Sequence, residues 1–418
     1  MQQISSVSPC KARIVIVGAG FAGIRAAQRL SGASAEITLV DRQNYHTFVP
    51  LLYQVATGFI SANTIAYPIR NWIRRIPHGR FLLAEVEQID FTCQQVITDG
   101  VTLPYDYLIL ATGSRAQFLG VPGAAEYAFA LRTLEDAIAL RHRILTSLEK
   151  AAQTVEQRYL TFVIVGGGPT GVEIAGALNE LIHRPFHADY PTLDVSQARI
   201  VLVQSAETLL PSFPRSMGAY TLRQLRQRQI EVCLNTQVTA VQADGVTLSN
   251  GRQIAAHTVI WTAGVSAEKP RLVAPAEWTS AAKDMTPRGK VVVEPTLQIA
   301  NYPNVYVVGD MAYIEHDGKA LFGVAPEALQ QGTTAADNIL RLLRGLDPQP
   351  FKYFDKGRAA IVSRHEGVAY LLSKIKIIGI LGWLTWLVIH LYYLPGLSNR
   401  LKLLLSWLRD YILRDRAH

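Results

Sequence analysis

The chain has 418 residues, of which 49% are hydrophobic and 18% charged, and its formal net charge is +8. This length favours two or three domains, because single hydrophobic cores rarely grow past about 250 to 300 residues. Three cysteines, Cys10, Cys93 and Cys233, stand far apart without a CxxC pair, which excludes a disulfide scaffold and a dithiol redox site and favours an intracellular protein.

The first predicted elements form a nucleotide-binding pattern. A polar N-terminus, without the pattern of a secretory signal peptide, leads into the strand RIVIV, a glycine loop and a helix. Gly18 permits a tight turn, Gly20 lets the backbone approach a pyrophosphate, and Gly23 lets the helix pack closely on the strand. The next strand ends in Asp41, whose carboxylate can accept both hydroxyls of an adenosine ribose. Residues 13–41 therefore predict a dinucleotide site, called here the first cradle.

Residues 133–153 predict a helix that connects this unit to a second one. Leu134, Ile138, Leu145 and Leu148 recur at helical spacing. Acidic side chains come early in this segment and basic ones late, as the helix dipole favours.

A second cradle at residues 161–204 repeats the first. It has the strand TFVIV, the glycines Gly166, Gly168 and Gly171, and a predicted helix from Pro169 onward. The following strand ends at Gln204 in place of an acid. A carboxylate would repel a 2′-phosphate, whereas a neutral amide can bind a hydroxyl or a phosphate. Two cradles predict two dinucleotides, a held FAD and an exchangeable NADH or NADPH, with hydride passing between them.

Two further patterns accompany the cradles. ATG at residues 111–113 and TAG at residues 262–264 each end a predicted strand where the chain crosses back between domains. In VVGD, Asp310 follows a strand, where its carboxylate could bind the ribityl or pyrophosphate end of FAD, or cap a helix. His183 and His187 are four residues apart, but Pro185 breaks the helix that would align them, so we expect a loop over residues 183–198 and no metal site.

The chain resembles the type II NADH dehydrogenases, the single-chain NADH:quinone oxidoreductases, over nearly its whole length. The resemblance is carried by NYHTFVPLLYQVATG (44–58), VGGGPTGVEIAGAL (165–178), LLPSFP (209–214), NVYVVGD (304–310), APEALQQG (325–332) and GWLTWLVIHLYYL (382–394). It implies two Rossmann-like domains of the pyridine nucleotide-disulfide reductase type, without the redox disulfide, and a C-terminal amphipathic helical region that binds the membrane. The implied reaction takes two electrons from a nicotinamide through tightly bound, non-covalent FAD to a quinone, without pumping protons.

Site residues follow from the motifs and the resemblance together. Glu173 matches a family glutamate near the flavin and nicotinamide, although a solvated first-turn acid is the alternative. Gln330 and Gln331 match the quinone motif A-Q-x-A-x-Q-Q-G, in which Pro326 replaces the first glutamine. This replacement, with Gln204, suggests a divergent subgroup of the kind found in photosynthetic bacteria and plastids. The expected cofactor-binding residues are Gly18, Gly20, Gly23, Asp41, Arg42, Val86, Thr112, Gly113, Asp310, Ala328, Gly166, Gly168, Gly171, Gln204 and Gly264.

The C-terminal residues predict a membrane-surface segment. Residues 351–418 hold eleven basic and four acidic side chains, which account for most of the net charge. Residues 377–397 carry no charge and are long enough to span a bilayer, but the resemblance implies a helix lying on the protein body. Residues 398–416 have an apolar face, formed by Leu401, Leu404, Leu405, Leu408 and Ile412, and a roughly opposite polar face with Lys402, Ser406, Arg409 and Arg416. Five aromatic residues of the C-terminal region suit the interface between lipid and water: Trp383, Trp386, Trp407, Tyr392 and Tyr393.

These patterns predict a discontinuous FAD domain at 1–125 and 290–345, an NAD(P)H domain at 126–289 and a membrane-anchoring region at 346–418. We expect a peripheral protein on the cytoplasmic or equivalent face of the membrane, bound to lipid through residues 377–416. A homodimer is one of the partner states that the sequence allows. A buried oligomer interface is the alternative use of the apolar segment. Nucleic acid is not an expected partner, because the aromatic residues lie among leucines and not along a cationic groove. The rival functions are a sulfide:quinone reductase, which would need paired cysteines, and a non-catalytic flavin-binding protein.

Overall fold

The computed structural model describes residues 11–154, 156–183, 193–268, 270–273, 289–316 and 318–412. Within them the α-helices, in chain order, are α1 (Phe21–Arg29), α2 (Leu52–Ala56), α3 (Ala62–Ile65), α4 (Arg70–Ile73), α5 (Ala124–Tyr127), α6 (Leu134–Gln153), α7 (Pro169–His183), α8 (Arg215–Gln227), α9 (Ala325–Leu342), α10 (Gly379–Tyr393) and α11 (Leu397–Ile412).

The chain divides into two compact units. Unit 1 comprises residues 1–46, 68–115 and 266–354, and unit 2 comprises residues 47–67, 116–265 and 355–418. Short strands lie where the chain passes from one unit to the other: Tyr45–Thr47, Ala66–Pro68, Ser114–Ala116 and Val265–Ala267. The C-terminal residues thus share a compact unit with the second cradle. The functional division with residues 346–418 as a region of their own stays a prediction.

Unit 1 is built on a six-stranded sheet. Its strands lie in the order Gln298–Ile299, Tyr302–Val307, Tyr107–Leu110, Ala12–Val17, Ala35–Asp41 and Gly79–Leu83, and all except the first are parallel to their neighbours. The strand Ala12–Val17 lies at the point where the strand order reverses. Ligands of doubly wound sheets bind at this point, outside the carboxyl ends of the strands.

Helices and a smaller sheet cover the two faces of this sheet. Helices α1 and α9 pack so closely that a Cβ at Gly332 would lie 2.3 Å from the Ala22 carbonyl oxygen, and Arg29 pairs with Asp337 at 2.6 Å. One apolar cluster fills the α1/α9 face, and a second includes Ile89, Val96 and Leu103 of the smaller sheet. The smaller sheet has the order Arg271–Val273, Val86–Asp90, Gln95–Thr98 and Thr102–Pro104, and two short strand pairs complete the unit: Val291–Val292 with Ala312–Tyr313, and Glu315–His316 with Lys319–Ala320.

Unit 2 is built on a five-stranded parallel sheet of the same kind. The strand Thr161–Val165 lies at its reversal point, and the order is Ala128–Ala130, Thr258–Trp261, Thr161–Val165, Arg199–Val203 and Glu231–Cys233. An antiparallel meander of Val238–Gln242, Gly245–Leu248 and Gln253–Ala255 packs against it. The α/β fold class with two Rossmann-like sheets is confirmed.

The C-terminal residues add a sheet and two helices to unit 2. A three-stranded antiparallel sheet contains Gly357–Ser363, Glu366–Leu371 and Ile375–Ile378. Helix α7 lies directly on this sheet, because a Cβ at Gly176 would fall 1.9 Å from the Val362 carbonyl oxygen. Helix α10 crosses the same sheet at Gly367, where a Cβ would lie 2.5 Å from the Trp383 nitrogen. No helix within the described residues is both long and apolar enough to cross a membrane.

Three predicted details of the helices differ from the structure. The connecting helix α6 exposes Ile138 and Leu145, and its buried face is set by Leu134, Ala137, Leu140, Ile144 and Leu148 instead. The predicted residues share one side of the helix, but the buried side is rotated towards Ala137 and Leu140, because tertiary packing decides which side faces the core. The apolar segment begins with the strand Ile375–Ile378, which pairs with its neighbour and leaves 15 residues for α10. The last difference concerns the tryptophans of α10 and α11, which are buried and are described below.

Candidate nucleotide-binding sites and a buried acid

The first cradle has the geometry that a pyrophosphate needs. Gly18 has φ +101°, and a Cβ there would lie 2.3 Å from the Ala111 carbonyl oxygen. A Cβ at Gly23 would lie 1.8 Å from the Gly18 carbonyl oxygen, whereas a Cβ at Gly20 would meet nothing within 4 Å. The loop is therefore closed on the protein side and open at Gly20, where a dinucleotide can approach the backbone and the α1 N-terminus.

Two side chains hold the peptide units around Ala19. The Ala19 N–H donates to Asp41 Oδ2 at 2.6 Å, and the Gln43 N–H donates to Oδ1 at 2.8 Å. The Ala19 carbonyl accepts from His46 Nδ1 at 2.9 Å. Burial lowers the pKa of His46 to about 4, so its ring is neutral and Nδ1 carries the proton. Burial also raises the pKa of Asp41, against the two backbone N–H groups that favour its ionised form.

The other predicted FAD residues of unit 1 cluster at the same sheet edge. The Ala84 N–H donates to the Asp41 carbonyl at 3.0 Å, and Val86 follows two residues later. Arg42 lies 3.8 Å from Glu268, whose backbone carbonyl accepts from the Thr112 hydroxyl. Gly113 has φ +76°.

Asp310 and the N-terminus of α9 form the last part of this site. The Ser114 hydroxyl donates to Asp310 Oδ2 at 2.6 Å. Buried Glu327 accepts from the N–H groups of Phe322, Gly323 and Val324, just before the first turn of α9. Burial raises the pKa of Glu327, although these three hydrogen bonds favour its ionised form. Ala328, in the first turn of α9, is buried.

The two glutamines of the quinone motif are bonded to the backbone of their own unit. Gln331 is buried, and its Oε1 accepts from the Gly309 N–H at 2.6 Å. Gln330 is half-buried, and its amide makes two bonds to the backbone of Phe354, at 2.9 Å and 3.0 Å. Gln331 thus positions the turn that carries Asp310.

The second cradle reproduces the first in detail. A Cβ at Gly171 would lie 1.8 Å from the Gly166 carbonyl oxygen, and one at Gly168 would meet nothing within 4 Å. Gly166 has φ +110°, and a Cβ there would lie 2.9 Å from both Thr262 Oγ1 and the Ala263 nitrogen. The Thr262 hydroxyl lies within 2.9 Å and 3.1 Å of the carbonyl oxygens of Val165 and Gly166. The TAG sequence thus supports the loop itself, as ATG does in the first cradle.

Gln204 occupies the position that Asp41 has in the first cradle. Its Oε1 accepts from the Gly167 N–H at 2.9 Å, and its Nε2 donates to the Thr208 carbonyl at 3.3 Å. The side chain is buried. Gln204 therefore positions the glycine loop through an uncharged group where the first cradle uses a carboxylate. Gly264, with φ +79°, follows the TAG strand.

Glu173 lies in α7 and is buried, with 7% of its surface exposed, so the alternative of a solvated first-turn acid is wrong. Its Oε1 accepts from the Trp386 indole N–H at 3.1 Å and from the Ile361 backbone N–H at 3.4 Å. Burial raises its pKa to about 8, although both bonds favour the ionised form. The carboxyl is therefore mainly protonated at neutral pH.

The C-terminal tryptophans lie inside unit 2, which corrects their predicted place at a lipid interface. Trp383, Trp386 and Trp407 are buried. Burial is compatible with the polar N–H of Trp386 and Trp407, since Trp386 bonds to Glu173 and Trp407 donates to Gln54 Oε1 at 3.0 Å. The predicted interfacial position fits Tyr392, which is 69% exposed.

Most exposed side chains of α10 and α11 are apolar. Leu401, Leu404, Leu405 and Leu408 of α11 are exposed, as predicted, and they share this with residues of α10 and the preceding strand: Ile375, Ile378, Ile380, Leu381, Leu384, Val388 and Tyr392. We call this set the apolar face. His187 and residues 413–416, which the sequence analysis singled out, lie outside the described residues.

Sequence reasoning missed His46, Thr262 and Trp386. Each had a signal, because His46 and Trp386 stand inside the motifs of the family resemblance and Thr262 begins TAG. Their roles depend on contacts with residues far away in the chain, which no local pattern encodes.

In the described part of the chain no group of three or more His, Cys, Asp or Glu side chains could hold a metal ion. Cys93 and Cys233 are free thiols in different units.

Comparison with known proteins agrees with this geometry. The family model described as pyridine nucleotide-disulphide oxidoreductase matches residues 12–332. The type II NADH:quinone oxidoreductases NdhA and Ndh of Mycobacterium tuberculosis are each 38% identical to the chain, over 97% and 100% of it and 88% and 91% of the relative. The solved structure of NDH2 from Plasmodium falciparum in complex with NADH has a TM-score of 0.86 at 20% identity, covering 96% of this chain and 98% of that one.

Two pyrophosphate cradles, each on a sheet of mainly parallel strands, define a dinucleotide oxidoreductase of the pyridine nucleotide-disulphide class. Within that class, the chain belongs to the family of type II NADH:quinone oxidoreductases.

Proposed function

We infer that this protein is a non-proton-pumping NADH:quinone oxidoreductase with FAD as its cofactor and NADH as its co-substrate. The observation that carries the inference is the pair of cradles, each closed by its first and third glycine and open at the second. The family relationship over the full chain supports it. Bound FAD would supply the redox chemistry that links oxidation of NADH to reduction of a quinone.

The first cradle would hold FAD through groups that are already in position. Gly18, Gly20 and Gly23 and the α1 N-terminus offer backbone N–H groups to the pyrophosphate. Each Asp41 oxygen accepts one backbone N–H and keeps a lone pair for a ribose hydroxyl. Asp310 lies at the N-terminus of α9, where it would meet the ribityl chain.

The second cradle would hold the nicotinamide dinucleotide. Gln204 adds no negative charge beside the adenosine ribose, so the site lacks the repulsion that excludes a 2′-phosphate. We propose that NADPH is accepted beside NADH for this reason.

The quinone would react near α9, where Gln330 and Gln331 stand. Both glutamines are bonded to backbone groups, so we propose that they shape the quinone site through the turns that carry Gly309 and Phe354.

The apolar face would bind the surface of the membrane that contains the quinone. Leu381, Leu405 and Val388 are each more than 60% exposed, and side chains of this size normally mark an interaction surface when they are contiguous. Lys374, Lys376 and Lys402 flank this face and could pair with anionic headgroups at about 1 kcal/mol each. We propose a peripheral membrane protein in which water-borne NADH and lipid-borne quinone reach one enzyme.

Anaerobic titration tests the reaction. Addition of NADH to the oxidised holoprotein should bleach the flavin spectrum, and a quinone should then restore it. A spectrum that stays oxidised with NADH would indicate a flavin-binding protein without this activity. Sulfide added in place of NADH should leave the flavin oxidised, because Cys93 and Cys233 stand far apart in the sequence and form no paired-cysteine motif.

A further inference from the structure

Glu173 of α7 is hydrogen-bonded to α10, a helix that contributes no residue to either cradle. Trp386 is fully buried and lies on the inner side of α10, whereas Leu384 and Val388, two residues before and after it, are exposed on the apolar face. Its indole N–H donates to Glu173 Oε1 at 3.1 Å. A single helix therefore carries an exposed apolar surface and a hydrogen bond to a buried acid.

Three other aromatic rings lie around the indole ring of Trp386. The His390 ring stacks on it with centroids 3.8 Å apart and planes inclined by 21°. The rings of Tyr53 and Trp407 lie 6.3 Å and 6.0 Å away. Burial lowers the pKa of His390 to about 4, and its Nδ1 donates to the Trp386 carbonyl at 2.8 Å, so the stacked ring brings no charge to the site.

Glu173 faces a small cavity that can hold water. The cavity has a volume of about 40 Å³, which exceeds what one water molecule requires. Its charged lining groups are Glu180, Arg364 and Asp410, and Ser363 Oγ in its wall is buried without a hydrogen-bond partner in the structure. Both protein hydrogen bonds of the carboxyl fall on Oε1, which leaves Oε2 as the oxygen that carries the proton.

We propose that Trp386 is a positioning residue for Glu173, holding Oε1 through its indole N–H and so determining the pH range over which Oε2 keeps its proton. The importance of this proton rests on the proposed function, because reduction of a quinone to a quinol by NADH consumes one proton beyond the transferred hydride. A buried acid that is protonated at neutral pH can supply that proton.

The substitution Trp386→Phe tests the proposal, because it keeps an aromatic ring and removes the donor. The indole N–H stabilises the ionised carboxyl, so its loss should raise the pKa of Glu173 by roughly one to two pH units. Infrared titration of the oxidised holoprotein measures this pKa, and the Glu173→Gln variant identifies the carboxyl band. If the proposed reaction operates, the alkaline limb of quinone reduction should move by the same amount.

Trp407→Phe is the matched control. It removes the indole N–H of another buried tryptophan of the same cavity, but its acceptor is the neutral amide of Gln54. The pKa of Glu173 should stay unchanged in this variant. An unchanged pKa in Trp386→Phe, or an equal shift in both variants, would overturn the proposal.

A measurement on the unmodified tryptophan covers the case in which Trp386→Phe does not fold. Ultraviolet resonance Raman spectra report hydrogen bonding at an indole N–H. This bond should strengthen in the wild type as the pH rises through the titration of Glu173, and the change should be absent in Glu173→Gln. A spectrum without this change would contradict the proposal. The infrared and Raman readouts need no turnover, so failure of the reaction and failure of the hydrogen bond give different results.

Discussion

Gln204 and Asp41 occupy matching positions in the two cradles and differ in charge. Each accepts a hydrogen bond from the middle residue of its glycine loop, Gly167 at 2.9 Å and Ala19 at 2.6 Å. The amide and the carboxylate thus do the same structural work. The two residues differ in the charge that they present to a bound dinucleotide. The residue at position 204 should therefore affect the choice between NADH and NADPH.

For Gln204→Glu we expect kcat/KM with NADPH to fall roughly tenfold or more relative to NADH, because the new carboxylate would face a 2′-phosphate. Steady-state kinetics with both nucleotides measure this ratio. The loop should keep its bond to the Gly167 N–H, so NADH use should change less. Equal losses with the two nucleotides would remove the argument.

His46 supports the glycine loop of the first cradle, because its ring bonds to the loop at Ala19. A trans peptide points its carbonyl and N–H in opposite directions. The bond from His46 to the Ala19 carbonyl therefore directs the Gly20 N–H away from the ring. This orientation leaves that donor for the pyrophosphate.

Replacing His46 by leucine should weaken FAD binding by roughly tenfold or more, because the buried Ala19 carbonyl loses its donor at a cost of about 1–3 kcal/mol. His46→Gln can still donate and should retain part of the affinity. Release of flavin fluorescence on dilution gives the dissociation constant. The exposed His78 provides the control, and a His78→Leu variant that loses as much FAD would assign the effect to something other than this bond.

Helices α10 and α11 combine a buried aromatic side with the apolar face, and this division matters for any test of membrane binding. Truncation at Gly382 would remove Trp383, Trp386, His390 and Trp407, all buried in unit 2. Their loss would expose the wall of the cavity around Glu173. Substitutions limited to the apolar face therefore test membrane binding without removing buried residues.

We expect the triple variant Leu401→Asp, Leu405→Asp, Leu408→Asp to keep its FAD and to lose binding to vesicles of phosphatidylcholine and phosphatidylglycerol. Each leucine contributes about 1.5–3 kcal/mol when it is removed from water, so the partition coefficient should fall more than roughly a hundredfold. Co-sedimentation with the vesicles measures it.

Three exposed glutamines of unit 2 give a control with the same change of charge. The variant Gln153→Asp, Gln227→Asp, Gln229→Asp should stay bound, because none of these positions belongs to the apolar face. Undiminished vesicle binding by the leucine variant would place the membrane contact elsewhere on the protein.

Across the whole molecule, buried titratable groups act on stability in opposite directions. His46 and His390, with pKa values of about 4, bind protons only in the unfolded chain between about pH 4 and 6.5, so they make stability fall as the pH drops through that window. Glu173, with a pKa raised to about 8, keeps its proton only in the folded state between about pH 4.5 and 8. It therefore makes stability fall as the pH rises.

The Glu173→Gln variant should gain stability over the wild type as the pH rises from about 5 to about 8, and the difference should level off above that. The total is on the order of a few kcal/mol, since each pKa unit corresponds to about 1.4 kcal/mol. The midpoint of thermal unfolding, compared between the two proteins at each pH, measures the effect. A difference that shrinks with rising pH would contradict the raised pKa.

The sequence by itself determined both cradles and the family. Gly18, Gly23, Gly166 and Gly171 could be predicted because a tight turn and a close helix contact are local demands that glycine alone meets. The strand before each glycine loop and the helix after it could likewise be predicted, because their apolar residues recur at strand or helix spacing.

The tertiary structure decided the rest, because burial and hydrogen bonding join residues that are far apart in the chain. Glu173 and Trp386 are separated by 213 positions, and Gln54 and Trp407 by 353. A tryptophan among leucines has the same local pattern at a lipid surface as in a core, and only the partner of its N–H distinguishes the two. The protonation of Glu173 likewise depends on the walls around it, which come from α10 and the sheet at Gly357–Ser363.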